Sequence, residues 1–189
     1  MGNDITRTAE EALKKLKEGN QRYLTAKTSE GDVSPALREK TCVDGQNPYA
    51  VIITCSDSRV IPESIFSAGI GELFVIRVAG NVIDDHQLGS IEYALDHLGC
   101  QLVMVLGHDH CGAISAALHH PVEGHVKYIA DEILKAVGGE TDDYTACCLN
   151  VRHSMKRIEE GLDRKLKEER GLQICGAVYH LKDGRVEFL

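Results

Sequence analysis

The stretch AVIITCSDSRV, residues 50–60, decides how this chain is read. Its first part, Ala50-Val51-Ile52-Ile53, is an unbroken apolar run. Such a run suits a strand buried on both faces, as in a parallel sheet. Its second part sets a thiol, a carboxylate and a guanidinium at alternate positions: Cys55, Asp57 and Arg59. Apolar runs at Leu73–Val78 and Leu102–Leu106 predict a second and a third strand. Ligands of parallel sheets sit beyond the carboxyl ends of the strands. The loop at 54–60 and the stretch GHDHCG at 107–112 are therefore expected at one edge of the sheet.

Helical patterns separate the strands. Leu88, Ile91, Leu95 and Leu98 share one face, and further helices are expected over 113–118, 123–137 and 142–169. Thr8-x-x-Glu11 forms a capping box before a helix with Ala9, Ala12, Leu13, Leu16, Tyr23 and Leu24 on one side. Residues 25–48 are polar and turn-rich around a short helical piece near Ala36-Leu37. Asp183-Gly184 between short runs at 172–181 and 186–189 signals a hairpin. The pattern predicts an α/β fold, with a mainly parallel central sheet flanked by helices, a C-terminal hairpin and an N-terminal helical arm. One domain is expected over 1–189, with the arm at 1–48.

The composition suits an ordinary globular protein: 43% hydrophobic and 26% charged residues. A net charge of -8 without a basic patch argues against nucleic acid or an anionic membrane as the main partner. No run approaches the roughly 18 apolar residues of a membrane span. Met1-Gly2-Asn3-Asp4-Ile5-Thr6 fits a myristoylation pattern, but that pattern is short and matters only in some hosts. The expected location is cytoplasmic. The seven cysteines are irregularly spaced, which does not suggest a disulfide framework. Cys100, Cys147, Cys148 and Cys175 read as packing residues, and Cys42 as exposed.

Cys55, His108 and Cys111 combine two soft thiolates with an imidazole. Three such ligands suit Zn²⁺ and leave a fourth tetrahedral position. Cys111 opens a helix, where the positive end of the dipole favours a thiolate, and Gly112 permits close backbone approach. Any one of the three alone is better read as an ordinary buried side chain. Together, on matching loops beside Asp57 and Arg59, they read as a metal site with one zinc per chain. Arg59 lies two residues from Asp57, on the same side if the segment is extended, and can grip it bidentately. A held Asp57 leaves the fourth position to water and can accept that water's proton in a hydrogen bond. Two thiolates and a neutral histidine leave Zn²⁺ without net charge, so it acidifies water less than a three-histidine site. His110 could serve as a proton relay, and the remaining histidines, His180 among them, show no partner pattern.

At these residues the sequence resembles the β-class carbonic anhydrases. The family's Cys-x-Asp-x-Arg and His-x-x-Cys motifs fall on Cys55-Ser56-Asp57-Ser58-Arg59 and His108-Asp109-His110-Cys111. Glu18-Gly19-Asn20, Gly71–Arg77, Ala79-Gly80-Asn81 and Ser90–Ala94 resemble other family segments. The resemblance implies reversible hydration of CO₂ to bicarbonate and a proton through zinc-bound hydroxide. It implies a homodimer, a unit that often pairs further into a tetramer, with the substrate pocket at the subunit interface. Gln46, Phe74, Ala79, Tyr93 and Gly112 match the pocket positions, with Asp57 and Arg59 as the catalytic pair. Family members with a bicarbonate-inhibited form carry Trp three residues before the first cysteine. Ile52 stands there, which implies the open form. Asp109 stands where Ser or Thr is usual, adding negative charge near the metal. The rival readings are a hydrolase of carbonyl sulfide or carbon disulfide on the same scaffold, and a zinc protein in which Asp57 closes the site. A thiol redox protein is disfavoured because Cys-x-x-Cys is absent.

Overall fold

The computed structural model describes residues 7–189. The myristoylation pattern at Met1–Thr6 lies outside them. In chain order the elements are α1 (Ala9–Thr25), α2 (Pro35–Asp44), β1 (Ala50–Thr54), α3 (Pro62–Ile65), β2 (Leu73–Arg77), α4 (Asp85–Leu98), β3 (Leu102–His108), α5 (Gly112–His119), α6 (Val126–Val137), α7 (Asp143–Gly161), α8 (Arg164–Arg170), β4 (Gln173–Tyr179) and β5 (Val186–Phe188). The strand order is β2-β1-β3-β4-β5. The first four are parallel, and β5 returns antiparallel to β4. The expected C-terminal hairpin is present.

Side chains alternate across the sheet and build two cores. Val51, Ile53, Val103 and Val105 face one layer, covered by α4 to α7. Ile52, Met104 and Leu106 face the other, covered by α1 and α3. The central strands β1 and β3 are buried along their whole length, as their unbroken apolar runs require. The second strand departs from that expectation. β2 is an edge strand, and Phe74, Val75 and Ile76 are only half-buried.

The Thr8–Glu11 capping box forms as expected. Ala12 and Leu16 of α1 are buried, but Leu24, assigned to the same apolar side, is 38% exposed. The helix expected over 142–169 is two helices. Leu162 is buried where α7 ends, and Asp163 accepts from the Lys165 and Leu166 amides to cap a fresh start. The short helix α3 and a 3-10 turn at Ala79–Asn81 lacked a periodic signal. Among the described residues, two of the three non-glycine residues with positive φ, Asn81 and His110, flank the carboxyl ends of β2 and β3. Strain of this kind collects at functional sites.

Candidate metal centre

β1 and β3 pair in register, Thr54 beside Leu106, so their carboxyl ends lie side by side. The Thr54 hydroxyl donates to the Leu106 carbonyl at 2.7 Å and locks the two ends. Cys55 follows β1, His108 is the last residue of β3, and Cys111 caps α5. His110 carries the intervening turn at φ 50°. The three candidate ligands are buried, and their ligand atoms lie within 4.8 Å of one another. The two sulfurs are 4.0 Å apart. Two thiolates on a tetrahedral zinc, with Zn–S near 2.3 Å, stand about 3.8 Å apart. His108 Nδ1 meets the Asp109 carbonyl at 2.8 Å, while its buried Nε2 has no hydrogen-bond partner. A fixed ring with an orphaned inward nitrogen, facing two converging sulfurs, is a donor set that fits zinc.

The electrostatics agree. Hydrogen bonding from the Cys111 thiol pulls Cys55 far below the usual thiol range, against burial and with help from His108 and the Gly80 amide. The resulting thiolate, with burial, pushes Cys111 up. One proton is shared where a divalent cation would displace it. Burial works against charge on His108, but the Cys55 thiolate, the Asp109 carbonyl and Asp57 outweigh it and raise its pKa. The space between the three ligands thus favours a cation.

Arg59 holds Asp57 at both oxygens, Nε to Oδ1 at 3.0 Å and Nη2 to Oδ2 at 2.7 Å. These bonds keep the Asp57 carboxyl far below the usual carboxylate range. Asp57 Oδ2 lies 3.9 Å from His108 Nε2, at the rim of the metal space. The expected strand-like alternation is not what brings the pair together. The chain turns here: the Val60 amide donates to the Asp57 carbonyl at 3.0 Å, and the Arg59 amide to Asp57 Oδ1 at 2.9 Å. Arg77, at the end of β2, donates to the carbonyls of Cys55 and Asp57 at 3.1 and 2.6 Å and braces the same turn.

Of the other expected site residues, Ala79 and Gly112 adjoin the centre, one just before Gly80 and one just after Cys111, whereas Gln46 lies away from it. Gln46 is exposed at the amino end of β1, opposite the end that leads into Cys55. Phe74 and Tyr93 pair at 6.1 Å between ring centroids, and Tyr93 is 47% exposed. Ala79 opens the 3-10 turn, and Gly112 is the exposed first residue of α5.

Asp109 does not point free charge at the centre. It accepts from the Leu181 amide at 2.9 Å and lies 3.4 Å from His180 Nδ1. His180 therefore has partners, which the one-dimensional pattern did not show. Cys147 does more than pack, because its thiol donates to the His108 carbonyl at 3.1 Å. Burial pushes that thiol up to about 12 and keeps it a donor. The Gly80 amide donates to Cys55 Sγ at 3.3 Å.

Comparison with known proteins agrees with this geometry. Residues 50–186 match the family model described as carbonic anhydrase. The chain is 38% identical over 193 residues to carbonic anhydrase 2 of Mycobacterium tuberculosis, covering 92% of this chain and 89% of that protein. A β-carbonic anhydrase structure from Coccomyxa superposes with a TM-score of 0.69 at 27% identity, covering 84% of this chain and 86% of that one. One of two tetrameric β-carbonic anhydrases from Sordaria macrospora superposes at 0.65 and 26% identity, covering 82% and 87%. With its Cys-His-Cys cluster and this kinship over most of its length, the chain belongs to the β-class carbonic anhydrases, zinc enzymes that hydrate CO₂.

Proposed function

We propose that Cys55, His108 and Cys111 hold one zinc ion per chain, and that Asp57 and Arg59 govern the position left open for water. Zinc supplies a Lewis acid that makes water a usable nucleophile near neutral pH. The carrying observation is the bidentate Arg59–Asp57 pair set 3.9 Å from the orphaned nitrogen of His108. Carboxylate oxygen is itself a good zinc ligand. Arg59 competes for it, keeps Asp57 ionised and would leave the carboxylate free to accept a hydrogen bond from the water in the open position. Arg77 holds the turn that aims this carboxylate.

Gln46, Phe74, Ala79, Tyr93 and Gly112 form the substrate pocket once a second copy is in place. The place of Gln46 at the far end of β1 supports this, as do the half-exposed apolar face of β2 and the exposed Tyr93. Tetrameric relatives from Sordaria macrospora support assembly beyond the dimer. The chain reads as one domain with its N-terminal arm at 1–48, a reading supported by α2, which buries no residue. Among the described residues no helix is long and apolar enough to cross a membrane. Cytoplasmic residence is supported by seven free cysteines, two of which must stay reduced to ligate. Stopped-flow CO₂ hydration with zinc content measured on the same sample tests the reading. About one zinc per chain with rapid hydration supports it, and slow hydration with full zinc contradicts it.

A further inference from the structure

Helix α7 runs behind the metal centre, and its inner face carries Asn150 and Ser154, one turn apart and both 1% exposed. Neither belongs to the motifs above. Asn150 Nδ2 donates to the Gly80 carbonyl at 2.7 Å, and Ser154 Oγ to the Asn81 carbonyl at 3.0 Å. These two consecutive residues of the 3-10 turn both have left-handed backbones, φ 69° and 45°. A Cβ on Gly80 would lie 2.9 Å from Ile133 Cδ1 of α6 and 3.3 Å from Ala113 Cβ, so the turn is wedged as well as tethered. From that position the Gly80 N–H reaches Cys55 Sγ at 3.3 Å.

We propose that Asn150 and Ser154 are positioning residues for the metal: they hold the strained turn so that the Gly80 amide stays on the Cys55 sulfur. This rests on the reading that Cys55 ligates zinc. A left-handed turn that includes a non-glycine residue persists only when its surroundings over-determine it. The two side chains supply that constraint from 70 or more residues away in sequence. A hydrogen bond to a ligating thiolate withdraws charge from sulfur and orients it. Partners of this kind are typically worth about 10–100-fold in metal affinity or activity.

The test is zinc competition against a chromophoric chelator, using the zinc-loaded protein and its variants. Asn150→Ala should bind zinc about 10–100-fold more weakly, and Ser154→Ala should shift in the same direction by less. In the Co²⁺-substituted proteins, the thiolate-to-cobalt charge-transfer band should move to longer wavelength, because sulfur without its hydrogen bond is richer in electrons. Asn20→Ala removes another buried amide, one that bonds Ile65, Gly184 and Val186 rather than the Gly80 turn, and should lower thermal stability while leaving zinc affinity unchanged. Wild-type affinity and an unmoved band in Asn150→Ala, with stability lowered as in Asn20→Ala, would overturn the proposal. If Asn150→Ala does not fold, Ser154→Ala, which deletes one hydroxyl, decides by the same two readouts. Cys111→Ser separates the premises: retained zinc there refutes the ligand set itself, whereas zinc loss there with unchanged affinity in the α7 variants refutes only this proposal.

Discussion

Asn20 and Asn150 are both buried amides on helices that cover opposite faces of the sheet. Asn20 on α1 is fully used: its Nδ2 donates to the Ile65 and Gly184 carbonyls, and its Oδ1 accepts from the Val186 amide. It staples α1 to α3 and to the terminal hairpin. Asn150 on α7 makes one hydrogen bond, to Gly80, and its Oδ1 has no partner among the described residues. Buried polar groups are nearly always satisfied, and an exception needs a reason. On the α1 face the amide closes a scaffold. On the α7 face it serves a strained turn beside the Cys55 sulfur, and full satisfaction gives way to placement. The same contrast runs through the helices. α1 packs against α3, β1 and β3, away from the Gly80 turn. α7 touches the ligand-bearing end of β3, through Cys147 at His108, and the turn after β2 that reaches Cys55, through Asn150 at Gly80.

The most severe break of this contrast is at the ligands. Cys111→Ser should lose most of its zinc, and CO₂ hydration should fall to the buffer rate, while the α1 face stays folded. Metal analysis with far-UV circular dichroism checks this. Arg59→Ala comes next, with zinc near one per chain and hydration lower by about 100-fold, measured by stopped flow. Asn20→Ala should cost about 1–3 kcal/mol of stability through the backbone groups it leaves unpaired. Its zinc content should be unchanged, and urea unfolding of metal-free and zinc-loaded protein separates the two effects.

The smallest effect expected is with pH. Asp57 has a depressed folded pKa, so its pairing with Arg59 stabilises the fold above the unfolded value near 3.9 and is lost only as pH falls through the lower folded value. Asp57 therefore does not titrate between pH 6 and 9. Over that range hydration should rise from about pH 7 to 9, because a formally neutral centre acidifies water weakly. A flat profile would contradict this.

Much of this was legible in one dimension. The unbroken runs in β1 and β3 announced strands buried on both faces, and parallel topology then placed Cys55, His108 and Cys111 at one edge. What was illegible depended on register and long-range contact. Nothing in the run Leu73–Val78 marks β2 as an edge, since edge status is a property of neighbours. The Asp57–Arg59 spacing suits a strand and a turn equally, and the side-chain bond from Asp57 to the Arg59 amide selects the turn. Gly80 and Asn150 stand 70 residues apart, so no spacing rule could join them. The break at Leu162-Asp163 did carry a signal, since Asp is a strong N-cap residue, but the helical periodicity on either side hid it.

The central claim is that Arg59 keeps Asp57 off the metal. A crystal structure of the zinc-loaded Arg59→Ala protein tests it most directly, with hydration measured on the same preparation. The account predicts an Asp57 oxygen bound at about 2.0–2.2 Å from zinc, full zinc content and most activity lost. Asp57 remaining off the metal, with hydration near wild type, would contradict it.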